Sequence, residues 1–534
     1  MDRTTVTAVM LAMAVGAAAA GAEELGQLPL GPKPRAYELG SGGPGTFYDC
    51  AAGETVPFEA MVERMGKAQV VLLGEEHTHL PQKRLQARIL DALADTGRPL
   101  VLGMEFFQRT DGDVLRRWVE GTLDGDAFLL ASHWYDRGGY NWGYYADVME
   151  VARRRGIPVA GLNVPRSILH TVSRKGLDAL DEEQRRTVGP VTTGGSPEHR
   201  YLISRYFGDT VALLPPAWFD RMYAAQCVWD VVMARSILDA LPEGGTVVAI
   251  AGTGHVAYGL GIARRIAEEA ARRGVPAPSV VTLVTAQAPA ATGDEPHGHP
   301  MGPDGGGKEE GFRPAVFSRG VADFVAVFPD DGGVEAFPSL GLSLETKDGA
   351  VTVRRVRPDS PAADAGLERG DVLLDIAGWR PPDVSRARLR LAGLRWGDRF
   401  DLAVLRGGAP RFCATLLEPE LVETERSVAP GWSVRALPAF DPTAPVPEPV
   451  PPGSAEEPEV RYVLVERDGV PVRVEARAGE VLVAVHEIEN GAVVRSLYRD
   501  PLPDGAVEVR YRRGPDGAVT AEERLDRAGV PVPR

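Results

Sequence analysis

The stretch VVLLGEEHTHL, residues 70–80, sets four apolar residues directly against Gly74 and then places Glu75, Glu76, His77 and His79 within five positions. A short, continuous apolar run bounded by glycine reads as a strand buried on both faces. Carboxylates and imidazoles have no place inside such a strand, so they mark its carboxyl end. The pattern recurs. PLVLGMEFFQR (99–109) runs from an apolar stretch to Glu105 and Arg109, IPVAGLNVPR (157–166) to Asn163 and Arg166, and TVVAIAGTGH (246–255) to His255. Further apolar runs lie at 280–284 and, as a last strand, in ADFVAVFPD (322–330). Helix-like segments such as 82–97 and 261–274 separate them. This alternation predicts an α/β domain, a mostly parallel sheet with helices on both faces.

In open α/β sheets ligands bind beyond the carboxyl ends of the strands. That rule gathers His77, Glu105 and His255 into one candidate site, with Glu75 or Glu76 and Arg109 beside them. Imidazoles and carboxylates together suit a divalent metal, and the same groups serve as general acids and bases where burial shifts their pKa values. Each histidine follows a Gly-x-x-His turn, Gly74 to His77 and Gly252 to His255, where glycine lets a ligand approach the backbone. His77 is expected to meet the ligand directly, with Glu75 and Glu76 orienting it or capping the following helix. Arg109 suits Glu105 or an anionic group. Plainer roles compete: a helix cap for Glu-Glu-His, a helix-surface pair for Glu105 and Arg109, a core histidine for His255. The aromatic run HWYDRGGYNWGYYADV (133–148), with His133, is expected to line the same mouth or to start a packed helix. His297 and His299 in PHGHP fall in a Gly/Pro-rich insertion over 290–311.

GEEHTH, GMEFFQR, GLNVPR, GTGH and the ADFVAVFP run together resemble the ChaN-like family of the haem-binding uptake and Tiki superfamily, over residues 45–331. The resemblance implies a core of His77, Glu105 and His255. It implies haem as cofactor, or a divalent metal such as Zn, Mn or Co if the chain works as a Tiki-type protease or esterase-like hydrolase. ChaN proteins use a tyrosine toward the iron. No motif places it here, and Tyr135, Tyr140, Tyr144, Tyr145 and Tyr258 are the candidates, with Tyr140 and Tyr258 joining His77 and His255 in the expected cofactor set.

The pattern changes after residue 335. SLGLSLE (339–345) and SPAADAGLERGDVLLDIAG (360–378) resemble a PDZ domain over 335–416. The resemblance implies an α+β fold in which Leu340, Gly341 and Leu342 form a loop that holds a peptide's C-terminal carboxylate. A helix near 383–394 would form the other wall of the groove, with Val384 or Leu389 lining it. A proline-rich linker (440–458) follows, then a region (459–534) whose alternating runs end at Asp468-Gly469, Asn490-Gly491 and Asp516-Gly517, the signature of a small antiparallel sheet of hairpins.

A chain of 534 residues is too long for one core. A net charge of −15 without a basic tract argues against nucleic acid as a partner. An apolar stretch ending in Ala20-Gly21-Ala22 reads as a signal peptide over 1–22, and no later run is long enough to span a bilayer, so a periplasmic or secreted location is expected. Cys50, Cys227 and Cys413 form neither a metal spacing nor a disulfide framework. Three functions remain: a haem- or iron-binding protein, a metal-dependent hydrolase, and an adaptor working through the PDZ-like domain.

Overall fold

The structure, a computed structural model, describes residues 25–194, 196–208, 215–289, 312–330, 335–396, 398–417, 432–437, 461–467, 470–478, 481–489, 492–498, 508–513 and 519–525. The expected signal peptide, the 290–311 insertion with His297 and His299, the 440–458 linker and the three hairpin turns lie outside these residues. The chain divides into two compact units, 1–333 and 334–534.

Among the described residues the first unit has ten strands: β1 (Leu39–Gly42), β2 (Phe47–Asp49), β3 (Glu54–Val56), β4 (Val70–Glu75), β5 (Leu100–Gln108), β6 (Val159–Asn163), β7 (Thr246–Gly252), β8 (Val280–Ala288), β9 (Ala315–Ser318) and β10 (Phe324–Pro329). Eight form one sheet in the order β3-β2-β10-β8-β4-β7-β5-β6. The run from β10 to β6 is parallel throughout, and only β2 and β3 are antiparallel. Every residue of β4 and β7 is buried, as strands covered on both faces require. The 23–45 lead-in, which reads as loose from its glycines and prolines, is structured from residue 25. Leu28, Leu30 and Ala36 are buried, and β1 pairs antiparallel with β9. Its isolated leucines pack into the core without forming a run.

One irregularity positions the site. Met104 of β5 pairs with Gly161 of β6, and the next pair is Gln108 with Asn163. Four steps along β5 therefore match two along β6, and residues 105–107 bulge. A bulge re-aims side chains and bends the strand, and this one carries Glu105 and Phe106. Asn163 holds it, its side-chain amide donating to the Glu105 carbonyl at 3.2 Å. Gly161 makes room for it, because a Cβ there would stand 2.0 Å from the Gln108 carbonyl oxygen.

The second unit holds a five-stranded antiparallel sheet in chain order, β11 (Leu342–Lys347), β12 (Ala350–Val356), β13 (Val372–Ile376), β14 (Arg399–Arg406) and β15 (Ala409–Leu416). Helices Pro361–Asp364 and Val384–Ala392 start on side-chain caps from Ser360 and Asp383. Leu344, Val353, Phe400, Leu402 and Val404 form its core. Asp371 is buried against Arg406, whose guanidinium reaches both carboxylate oxygens at 2.8 Å. The unit also holds a seven-stranded antiparallel sheet in chain order: β16 (Trp432–Leu437), β17 (Arg461–Arg467), β18 (Val470–Ala478), β19 (Val481–Glu489), β20 (Ala492–Tyr498), β21 (Glu508–Arg513) and β22 (Val519–Leu525). The hairpin region therefore begins with β16, upstream of the expected linker rather than after it.

Gly161→Ala is expected to destabilise the first unit by about 1–3 kcal/mol, because the added methyl must displace backbone rather than a movable side chain. Chemical denaturation against the wild type measures this, with Gly112→Ala, where a Cβ meets nothing within 4 Å, as the control.

Candidate functional site

The site forms where β4, β7 and β5 end side by side. Glu75, the last residue of β4, pairs in register with Gly252, the last of β7. Glu75 is fully buried and all of its polar contacts are internal. One carboxylate oxygen accepts from the Tyr145 hydroxyl at 2.6 Å and lies 3.0 Å from His77 Nδ1. The other meets Lys83 Nζ at 2.5 Å and the Gln86 amide at 2.9 Å. Burial by itself would raise the Glu75 pKa. The Lys83 charge and the bonds from His77 and Lys83 outweigh it and hold the carboxyl at about 2. Lys83, equally buried, is pulled below its usual value by desolvation despite the pull of Glu75.

His77 is thereby fixed through Nδ1, with Nε2 turned toward Gly252. A Cβ on Gly252 would stand 3.1 Å from His77 Cε1, 3.4 Å from Nε2 and 3.8 Å from Glu105 Oε2, so the two side chains flank this one glycine. The His77 ring packs against Phe106 and Tyr140, with centroids 5.1 and 4.9 Å away.

A second imidazole is held the same way. His255 Nδ1 lies 2.6 Å from Asp230, and its Nε2 faces Glu105 at 3.8 Å. Burial disfavours its charged form, but the bond to Asp230 and the charges of Glu105 and Asp230 prevail, and its pKa is raised. Asp230 also faces His199 Nε2 at 3.3 Å, and His199 Nδ1 lies 3.1 Å from the Tyr223 hydroxyl. Burial drives His199 down to about 4, so it is neutral at physiological pH. Glu105 accepts from the Gly252 N–H at 2.7 Å.

The three residues expected at the core thus stand at one end of the sheet, but they do not form a ready metal centre. Among the described residues no three His, Cys, Asp or Glu side chains are grouped closely enough to hold a metal ion. Glu105 is occupied by the Gly252 N–H, and His255 is buried.

Other expected residues go elsewhere. Arg109 turns to the surface and pairs with Asp239 at 2.8 Å instead of Glu105. Glu76 bonds the Gln82 side chain, its backbone N–H donating to the Gln82 oxygen and its carboxylate accepting from the Gln82 amide, and the cap of the following helix falls to another residue. His79 caps the Leu80–Ala94 helix by accepting from Gln82 N. His133 is exposed beside Asp136. Tyr258 donates to the Leu25 carbonyl at 2.6 Å, which turns its hydroxyl to the lead-in and removes it from the cofactor set. Tyr140 stays, against His77. Sequence reading missed Lys83, Tyr145 as a partner of Glu75, Asp230 and His199. The one visible signal was Asp230, a lone carboxylate in the apolar run CVWDVVMA.

Beside the site lies a cleft of about 540 Å³, counted with its open mouth, lined among others by Glu105, Phe106, Trp134, Arg137, Arg166 and Trp229. Arg137 is paired with Asp111 at 2.6 Å. Arg166 makes no ion pair among the described residues.

Removing either partner of the buried pair is expected to cost about 3–5 kcal/mol, since the other charge is stranded. Glu75→Gln combined with Lys83→Met should recover most of the loss, a coupling that denaturation of the four proteins measures. The pH dependence follows from the sign. The folded pKa lies below the ordinary 4.5, so the contribution of Glu75 is complete above pH 4.5 and is lost as pH falls toward 2. The double variant should lack this acid-labile component.

The family described as haem-binding uptake, Tiki superfamily, ChaN matches residues 61–266, and the PDZ domain family matches 338–416. RETICULATA-RELATED 5, a chloroplastic protein of Arabidopsis thaliana, is 25% identical over 215 residues, 37% of this chain and 28% of that protein. A probable periplasmic serine endoprotease, DegP-like, of Halomonas elongata is 35% identical over 178 residues, 32% of this chain and 37% of that protein. The chain thus spans about a third of the length of these curated relatives. The solved structure "Cofacial heme binding to ChaN of Campylobacter jejuni" is 17% identical, covers 52% of this chain and 95% of that one, and aligns with a TM-score of 0.40. The chain carries a ChaN-like domain of the haem-binding uptake, Tiki superfamily, followed by a PDZ domain.

Proposed function

We propose that the first unit binds haem in the cleft at the strand ends, with His77 Nε2 as the group that reaches the iron, and that the PDZ domain binds the C-terminus of a peptide or protein partner. The carrying observation is His77 itself. A buried carboxylate fixes its Nδ1, which orients the ring and strengthens the other nitrogen as a donor. That nitrogen shares the Gly252 position with Glu105, and Glu105 and Phe106, the ring packed on His77, line the cleft.

Haem needs a broad apolar slot and an axial imidazole or phenolate. Phe106, Trp134 and Trp229 supply aromatic walls, and Tyr140, in ring contact with Phe106, is the phenol beside His77. Arg166, which makes no ion pair among the described residues, suits a ligand carboxylate at the mouth. The bound group would supply iron chemistry. The chain supplies orientation through Glu75, a wall through Phe106 and a charge at Arg166. His255 lies behind Glu105 and acts on the ligand through that carboxylate. Among the described residues no helix is long and apolar enough to cross a membrane, and the proposal places the protein in the periplasm or outside the cell.

One observation favours a second reading. Two imidazoles, each oriented by a buried carboxylate, flank Glu105, and a rotation of His77 toward Glu105 would assemble a metal-dependent hydrolytic site.

Titrating purified protein with haem separates the two. Haem binding gives a shifted Soret band at one haem per site, lost in His77→Ala with the melting temperature retained and kept in Tyr140→Phe. A protein that takes up no haem and purifies with stoichiometric zinc or manganese refutes the first reading in favour of the second.

A further inference from the structure

The helix that follows β6, Arg166–Lys175, carries Arg166, Arg174 and Lys175 and no acidic residue. Arg166 opens it. A cation in the first turn works against the helix dipole, which favours anions there, so helix stability does not explain its place. Arg166 lines the cleft with Glu105, Phe106 and Trp229. Its guanidinium passes over Gly138, where the backbone φ is +73° and an added Cβ would lie 3.0 Å from Nη1. Desolvation lowers its pKa against the pull of Tyr140 and Glu105, and a guanidinium stays charged even so.

His170 and Arg174 follow one and two turns on, along the same side of the helix, and both are exposed. The three groups act on one another. Desolvation and the charges of Arg174 and Arg166 lower the His170 pKa, which leaves the ring neutral at physiological pH. Charges of one sign stacked along a helix face repel, and none of the three side chains has an ion pair or hydrogen bond among the described residues. The carboxylate in the cleft wall does not answer them, since Glu105 accepts from the Gly252 N–H at 2.7 Å. A basic row thus runs from inside the cleft out along the helix, in a chain of net charge −15.

We propose that this row makes the cleft a receptor for a flat aromatic dicarboxylate: Arg166 takes one acid, and His170 with Arg174 takes the second. The inference rests on reading the cleft as a haem site and names what else that site reads. Positions four apart are separated by about 6 Å along a helix, so both acids must leave one edge of the ligand about one turn apart. Phe106, Trp134 and Trp229 then cover the ring system. A guanidinium grips a carboxylate through two parallel N–H bonds, and the neutral His170 ring donates an N–H beside Arg174. Recognition of the acids needs no metal in the ligand.

The test is equilibrium titration of the full-length protein, followed by absorbance and by quenching of tryptophan fluorescence. The probes are haem, haem dimethyl ester, metal-free protoporphyrin IX and its dimethyl ester. Wild type should bind each diacid about a hundredfold more tightly than its diester, about tenfold for each acid. Arg166→Gln should reduce that ratio about tenfold, and so should His170→Gln with Arg174→Gln. The triple variant should bind diacid and diester alike. Equal affinity of wild type for the two forms, or a ratio that the triple variant retains, overturns the clamp and leaves haem binding standing. A ratio abolished by Arg166→Gln alone and untouched by the His170→Gln and Arg174→Gln pair overturns it too, leaving a site for one acid. Discrimination with protoporphyrin IX but no shifted Soret band with haem supports the clamp and overturns iron ligation by His77. No binding of any probe overturns the clamp and the haem reading together.

Discussion

The site depends on one buried ion pair, Glu75 with Lys83. A carboxylate at the end of a fully buried strand would neutralise itself unless its charge were compensated. Here it is compensated by a cation one helical turn into the next helix, and Gln86, Tyr145 and His77 complete its bonding. Each contact also fixes an element. Lys83 and Gln86 tie the Leu80–Ala94 helix to the strand before it. Tyr145 ties down the aromatic run that walls the cleft. His77 is left with one orientation.

The second imidazole shows how sensitive such an arrangement is to small differences in distance. Asp230 faces two histidines, and they respond oppositely. His255, hydrogen-bonded at 2.6 Å and also near Glu105, is raised. His199, at 3.3 Å and with Arg264 and Arg265 nearby, loses to burial and falls to about 4. One carboxylate thus keeps a protonatable imidazole on the side facing Glu105 and a neutral one on the side facing the core. Glu105 is set between the two held imidazoles by the β5 bulge, a backbone feature rather than a side-chain one.

Residues that end strands were legible in the sequence, because a polar group set directly after a buried apolar run adds nothing to the core and so marks the strand's end. The parallel sheet was read that way, and His77, Glu105 and His255 stand at or just past the ends of its strands. Residues that support them were not. Lys83 looks like one more solvated charge in QKRLQAR, and only the fold places it in the interior. Asp230 and His199 lie on helices far along the chain, where local pattern carries no information about which strand end they meet. Arg109 misled for the opposite reason: spacing of four suggests a partner, but a 3-10 turn after β5 sends the side chain outward to Asp239. Leu28 and Leu30 were hidden among glycines and prolines, since single buried residues in irregular backbone leave no periodic trace.

The same buried carboxylate sets what the imidazole could offer. Glu75 holds His77 through Nδ1 and leaves Nε2 toward Gly252, so a group bound at Nε2 would break no contact with Glu75. Orientation is thus supplied by a bond inside the fold rather than by the bound group, and the carboxylate that fixes the ring also strengthens its other nitrogen as a donor.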